Sequence, residues 1–329
     1  MQIDLIITTY NRPENVVKLC EEAKNCKPCP NKIIIVDSSE ISNIYLQHDD
    51  NITYIKSSHK NQPYQRYLGS CFSTSDVICY FDDDITILDL QIFEKIKLIY
   101  FENINVVAVG TKVKYDDNQQ KHRSKFFKIV SLLTGVPLSK SGEVNIFGQE
   151  NHFSANNTTN VEVLNGPIMS FRKSIIEELY PSNLLSIFEK RWAMGEDKFI
   201  SFTASRIGLV YKINNFLVGH PPNKSTYFSN AKDFEARVIY SRLWLAKFIG
   251  KSKNHNNILI HLMFGYYLFW RLLITGFNSI LLNKIQFEKF KGNLLGLKRI
   301  IRYGFNSQKL TPGIEWNKEI ENDIRKNKI

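Results

Sequence analysis

The sequence predicts an α/β protein built on a mostly parallel sheet with helices on both faces, followed by a basic helical region. Three observations carry this expectation. Short runs that are apolar at nearly every position alternate with helical patterns, which is how strands buried on both faces between crossover helices read. Acidic and hydroxyl side chains cluster directly after those runs, at the carboxyl edge where open α/β sheets bind their ligands. The charge also changes abruptly along the chain. The formal +11 arises wholly from residues 226–329, with 18 Lys and Arg against 7 Asp and Glu, whereas residues 1–225 balance 25 against 25.

The elements follow in order. Residues 3–8 are an apolar, β-branched run, and Pro13 with Glu14 opens a helical pattern through Val16, Val17, Leu19 and Ala23. Residues 33–36 form a second strand that ends at Asp37, and 52–55 a third; 64–73 read as a helix leading into the strand 77–81. A helix over 90–101 and a strand over 106–109 come next. Residues 111–160 are polar and irregular and read as loop. Strands at 161–164 and 168–171 flank the turn Asn165-Gly166-Pro167; a helix runs from 172 to about 179, another follows Gly195-Glu196-Asp197 through Ile207, and 209–213 is a strand. The expected domains are 1–225, split into a nucleotide-binding half (1–110) and an acceptor half (111–225), and a helical region over 226–329.

With 329 residues and 43% hydrophobic content the chain can bury one large core or two modest ones. The start MQIDLIITTYNRPENV shows no basic stretch followed by an apolar one, so a cytoplasmic location is expected. Five scattered cysteines fit no disulfide framework, and Cys26-Lys27-Pro28-Cys29 stands without a second pair at zinc-like spacing. Residues 258–282 are the most apolar stretch, but Arg271, His261 and Asn278 lie inside it. A membrane span avoids a central charge, so this segment is expected to lie in the membrane interface or to pack on its neighbours. The basic excess calls for an anionic partner. Its interleaving with apolar runs favours phospholipid headgroups over nucleic acid.

Tyr80 to Asp84 reads YFDDD, placing three carboxylates directly after an apolar strand. Adjacent carboxylates repel unless a cation or strong donors neutralise them. An isolated triplet also fits a solvated turn, but Thr8, Thr9, Tyr10 and Asp37 fall at the same predicted edge. No G-x-G-x-x-G follows the first strand, which continues TTYNRP, and no G-x-x-x-x-G-K-[ST] occurs. A bound nucleotide would therefore need its diphosphate neutralised by something other than a Gly-rich loop, and a divalent ion on the triplet would serve.

Over about residues 3–245 the segments IDLIITTYNRPENV, IIIVDSS, QRYLGS, FDDD, NGPIMSFRK and GEDKFIS, with His220 after the final strand, resemble the inverting glycosyltransferases of family 2 of the bacterial cell-surface polysaccharide type. That resemblance implies the GT-A fold and a membrane-associating C-terminal region. It implies nucleoside contacts from Thr8, Tyr10 and Asp37, and donor contacts from Arg66, Asp82 and Asp83; Tyr67 stands where the family's R-N-x-G element has Asn. It implies Mn²⁺ or Mg²⁺ held by Asp84, Asp82 and His220, a catalytic base at Asp197 supported by Glu196, and acceptor contacts from Asn165, Gly166 and Trp192. Without the resemblance, Glu196 and Asp197 also read as first-turn acids favoured by the helix dipole.

The implied reaction moves a sugar from a UDP- or dTDP-sugar to a glycan or lipid-linked glycan, at the inner face of the cell membrane. A sugar-phosphate nucleotidyltransferase is the alternative. That class opens with a Gly-rich loop, which TTYNRP lacks.

Overall fold

The computed structural model describes residues 1–41, 50–115, 133, 142–146, 149, 159–180, 195–220, 230–281, 284–303 and 316–328. The chain divides into two compact units: Met1–Asp116 with Asn156–Pro222 and Pro312–Ile329, and Asp117–Ala155 with Asn223–Thr311. This departs from a single cut at residue 225 in two places. The segment 117–155 belongs with the helical unit, and the end of the chain returns to the sheet unit.

The first unit carries a nine-stranded sheet in the order β3-β2-β1-β4-β8-β6-β9-β5, with β7 beside β9. The strands are β1 (Ile3–Thr9), β2 (Lys32–Asp37), β3 (Ile52–Lys56), β4 (Val77–Asp82), β5 (Thr86–Ile87), β6 (Val106–Tyr115), β7 (Thr159–Asn160), β8 (Ile168–Arg172) and β9 (Leu209–His220). Helices α1 (Pro13–Lys24), α2 (Gln62–Phe72), α3 (Ile92–Glu102), α4 (Ile176–Leu179) and α5 (Glu196–Ile207) connect them, and α9 (Trp316–Asn327) joins the same unit.

The half β3-β2-β1-β4 is parallel throughout, as the apolar runs imply. The other half is mixed, because β8 runs antiparallel between β4 and β6. Several expected elements change: the strand expected over 209–213 runs to His220, and the helix expected from 172 opens as a 3-10 turn over Lys173–Ile175 before α4. Residues 161–164 form no strand, although Val163 and Leu164 are buried, and Leu164 N instead donates to Ser201 Oγ at 3.1 Å. β6 continues to Tyr115 beside β9, whose register shifts between Thr111 and Val113.

Buried Asp4 fastens the start of β1. It accepts from Ser73 Oγ and Ser75 Oγ at 2.7 Å each, from Asn31 Nδ2 at 3.2 Å, and from the backbone of Thr74 and Ser75. Helix α2 is capped by Asn61, which accepts from Tyr64 N at 3.1 Å. It lies close on the sheet at Gly69, where a Cβ would sit 2.7 Å from Ile6 Cγ2 and 2.9 Å from Val36 Cγ2. At that depth Gln65 reaches the carbonyls of Thr9 (3.0 Å) and Val36 (2.8 Å), and Arg66 on the next position faces the strand ends.

The second unit is built on α6 (Ala231–Ser252), α7 (Asn257–Leu281) and α8 (Lys284–Tyr303), around Ile239, Leu243, Ala246, Ile260, Phe264, Tyr267 and Ile300. Gly292 and Gly296, one turn apart on α8, let it meet the α6 backbone at Lys232 and Ala236. Arg271 is neutralised among the helices. It pairs with Glu235 and donates to Tyr267 Oη and Asn293 Oδ1 at 3.1 Å each. Among the described residues, α7 alone is long and apolar enough to cross a membrane.

Candidate functional site

The carboxyl ends of β1, β2 and β4 and the start of α5 supply the acids that the sequence singles out. Parallel register sets Thr8 beside Val36 and Asp82, and Thr9 beside Asp37. Thr8 is buried with its hydroxyl unpartnered among the described residues. Tyr10 follows β1, half-buried, with the Lys60 ammonium over its ring. Asp37 is fully buried, and its oxygens accept from Ser39 and from Tyr54 Oη at 2.6 Å. The strand end thus already holds the Asp37 carboxylate through its own chain.

The three consecutive acids diverge. Asp82 Oδ1 accepts from Gln62 Nε2 at 2.7 Å and pairs with Arg66 Nη2 at 2.8 Å. Asp83 turns the other way, accepting from Thr9 Oγ1 at 2.7 Å and Arg12 Nη1 at 2.9 Å. Asp84 pairs with Arg12 Nη1 at 2.9 Å and lies 3.4 Å from His220 Nε2. Burial pushes the Asp83 carboxyl up to about 6 against the pull of Arg12 and Thr9. Burial likewise raises Asp82, with Arg66 opposing and Asp84 adding to the rise.

Arg66 organises the other side. Only 1% exposed, it pairs with Glu196 through Nη1, with Asp82 through Nη2, and donates to the Gly166 carbonyl at 3.0 Å. The sequence places it as a donor contact; the structure makes it the bridge between the end of β4, the turn before β8 and the start of α5. Glu196 is buried against it. Burial pushes the Glu196 carboxyl up to about 7, with Arg66 opposing and Asp197 and Asp82 adding to the rise.

Asp197 differs from its neighbour. α5 begins after Gly195, whose φ of 82° belongs to the left-handed region that favours glycine. From that start Asp197 stands half-buried, and its carboxylate accepts no hydrogen bond among the described residues. Gly166 lies against it, since a Cβ there would be 3.3 Å from Asp197 Oδ2. Asn165 is half-buried in the same turn. Trp192 lies outside the described residues.

Four residues were missed by the sequence reading. Tyr115 closes β6, with its ring 5.7 Å from that of His220. Burial raises its hydroxyl, and Asp82, Asp197 and Asp84 raise it further, so all three acids act on one phenol. Arg12, Gln62 and Lys60 are the others. Arg12 and Lys60 are cations beside predicted site residues, which is a readable signal; Tyr115 falls in a stretch read as loop and gave none.

A carboxylate with an adjacent imidazole, Asp84 and His220, is a donor pair suited to a hard dication whose remaining positions are filled by phosphate oxygens and water. Among the described residues no group of three or more His, Cys, Asp or Glu side chains is placed to hold a metal ion, so Asp82 does not complete such a set with Asp84 and His220.

This sheet, with acids at the end of β4 and at the start of α5, has the GT-A architecture of the nucleotide-sugar glycosyltransferases. The model of glycosyl transferase family 2 matches residues 4–180, more than half of the chain, and the chain belongs to that family. No curated protein matches it in sequence.

Among solved structures it is similar to S. aureus TarS 1-349 in complex with UDP-GlcNAc, with a TM-score of 0.54 and 12% identity, covering 99% of this chain and 92% of that one. A longer S. aureus TarS structure gives 0.52 and 13%, covering 86% of this chain but only 46% of TarS. A mannosyltransferase from Pyrobaculum calidifontis in complex with GDP-Man and Mn²⁺ gives 0.50 and 10%, covering 91% and 87%. At these identities the likeness is one of fold.

The raised Glu196 carboxyl has a consequence for stability. It holds its proton more tightly folded than unfolded, so folding takes up a proton between pH 4.5 and about 7, and stability falls as pH rises across that window. Glu196→Gln removes the titrating group. Urea unfolding is expected to show a shallower loss across the window than in the parent, by on the order of 2–3 kcal/mol; an unchanged slope would contradict the assignment.

Proposed function

We propose that the protein is a metal-dependent, inverting glycosyltransferase that moves a sugar from a nucleoside-diphosphate sugar to a glycan or lipid-linked glycan in surface polysaccharide synthesis. One observation carries the reading: of the two acids opening α5, Glu196 is locked to Arg66, whereas among the described residues the Asp197 carboxylate, against Gly166, is uncommitted. A general base needs that freedom. Asp197 takes the proton of the acceptor hydroxyl as its oxygen bonds to the anomeric carbon. The bond from that carbon to the diphosphate breaks on the opposite side, so the configuration inverts and the nucleoside diphosphate departs.

Thr8, with its unpartnered hydroxyl, and Tyr10 face the nucleoside, and Asp37 shapes the base pocket through Ser39 and Tyr54. Asp82 faces the ribose or sugar, Arg66 and Asp83 hold the strand ends in place around the donor, and Asn165, Gly166 and Trp192 face the acceptor. Asp84 and His220, with Asp82 alongside, would hold Mn²⁺ or Mg²⁺, which supplies Lewis-acid stabilisation of the leaving diphosphate. A UDP- or dTDP-sugar is the proposed donor; the solved relatives with UDP-GlcNAc and GDP-Man support the nucleotide-sugar class. The nucleotidyltransferase alternative gains nothing from the family match or from TTYNRP.

The test is a panel of nucleotide sugars assayed for metal-dependent binding and slow hydrolysis. Asp84→Ala is expected to abolish the metal dependence of binding. Asp197→Ala is expected to retain binding and to lower transfer by at least about a hundredfold, the size of a general-base contribution. Full transfer by Asp197→Ala would end the reading.

The helical unit is proposed to hold the enzyme on the anionic inner face of the cell membrane. Leu262, Tyr266, Phe269, Leu273, Phe277 and Ile280 recur every three or four residues along α7 as one exposed stripe, and Lys284, Lys298 and Arg302 of α8 are exposed in the same unit. An apolar stripe with basic neighbours suits insertion among acidic headgroups. Flotation with phosphatidylserine vesicles is expected to capture the protein at low salt, with capture reduced at high salt and lost in Leu273→Asp/Phe277→Asp. Equal capture of parent and variant, or none of the parent, would refute it.

A further inference from the structure

Helix α9 leaves the helical unit's stretch of chain and packs in the sheet unit, against the loop that joins β3 to α2. Asp323, 1% exposed, is its anchor. One carboxylate oxygen, Oδ2, accepts from Ser58 N and Ser58 Oγ at 2.8 Å each and from Tyr64 Oη at 2.9 Å. A turn later, Asn327 accepts from Lys56 N at 2.8 Å and donates to Lys56 O at 3.0 Å, pairing with the exposed edge of β3 as a neighbouring strand would. A turn earlier, Glu319 lies 3.6 Å from His59 Nε2.

Within the loop α9 thus holds Ser58 and meets His59, and on either side it holds Lys56 of β3 and Tyr64 of α2. The loop's own chain holds the rest: Ser57 N donates to Asp37 O at 2.9 Å, and Asn61 caps α2. The residue suspended between these fixed points is Lys60, whose ammonium lies over the Tyr10 ring. Lysine is among the most flexible side chains, and an exposed cation–π contact contributes only about 0.5–1 kcal/mol. Its backbone must be set by something else: Ser57 Oγ donates to His59 O at 2.9 Å and accepts from His59 N at 3.3 Å, Asn61 caps α2, and α9 holds Ser58 between them.

Resting on the reading of Thr8, Tyr10 and Asp37 as the nucleoside end of the donor site, we infer that Lys60 is a donor-binding residue that meets the anionic part of the nucleotide. Asp323 is the positioning residue that holds it there from a helix some 260 residues away in sequence, the separation of its bonds to Ser58 and Tyr64. The donor site of the sheet is then incomplete without a segment that follows the whole helical unit in the chain. Asp323 thus holds the loop that carries the Lys60 ammonium to the Tyr10 ring.

The experiment uses the full-length chain, with UDP and dTDP in the presence of Mn²⁺ as calorimetric probes, on the parent, Lys60→Met, Asp323→Ala, Asp323→Asn and the Lys60→Met/Asp323→Ala double variant. Each of Lys60→Met and Asp323→Ala is expected to weaken nucleoside-diphosphate binding by about tenfold, as for one charge-assisted contact. Asp323→Asn, which keeps an oxygen acceptor for Ser58, is expected to recover most of that loss. The decisive result is in the double variant, expected to bind no more weakly than Lys60→Met alone, since both changes remove the same contact. Losses that add, or affinity unchanged in either single variant, would overturn the inference while leaving the transferase reading in place. A parent that binds neither nucleotide would instead refute that reading, and this one with it. Should Asp323→Ala fail to fold, Ser58→Ala/Tyr64→Phe, which removes two of the donors to Asp323, takes its place in the cycle with the same expected loss and the same overturning results.

Discussion

The sheet unit depends on one buried guanidinium. Arg66 is taken out of water at a cost that only good partners offset, and it has two carboxylates and a carbonyl. Each partner belongs to a different piece of chain: Asp82 ends β4, Gly166 lies in the turn before β8, and Glu196 opens α5. Asp82 and Glu196 would repel each other across that space. The guanidinium turns their repulsion into a tie, and in doing so fixes where Asp197, the neighbour of Glu196, must stand.

The same constraint separates the roles of adjacent acids. Among Asp82, Asp83 and Asp84, the first faces Arg66, the second faces Thr9 and Arg12, and the third faces Arg12 and His220. β4 ends at Asp82, and the turn that follows brings Asp83 and Asp84 together on Arg12 Nη1, away from Arg66. Likewise Glu196 pairs with Arg66, whereas the Asp197 carboxylate accepts no hydrogen bond among the described residues. Tyr115 and His220 close the cluster from the ends of β6 and β9, which run side by side to the same edge.

Much of this was legible in the sequence because it is local. β1, β2 and β4 are apolar on both faces, and the acids that follow them fall at one edge whatever the remaining topology. Long-range features were not legible. Nothing in Arg66 itself announces Glu196 as its partner 130 positions away. The extension of β6 to Tyr115 is hidden by its polar residues, which a strand beside the irregular β9 tolerates. Val161 to Leu164 has strand composition, yet after Val161 N donates to Val210 O of β9 at 2.8 Å the ladder ends, and Leu164 N turns to Ser201. The basic excess of residues 226–329 suggested a single tail, whereas α9 turns back to the sheet with Asp323 and Asn327 as its contacts. Trp192 falls outside the described residues, so its reading rests on the resemblance alone.

The central claim is that the acids gathered by Arg66 surround one cleft, with a dication at its Asp84–His220 end and a nucleoside diphosphate along Thr8 and Tyr10. Anomalous diffraction at the manganese edge, from crystals grown with Mn²⁺ and UDP, addresses it directly. The account predicts a manganese peak bonded to Asp84 and His220, with the diphosphate on the same ion and Asp197 facing it across the cleft. Manganese bound elsewhere, or a nucleotide seated away from the β1 and β4 ends, would contradict it.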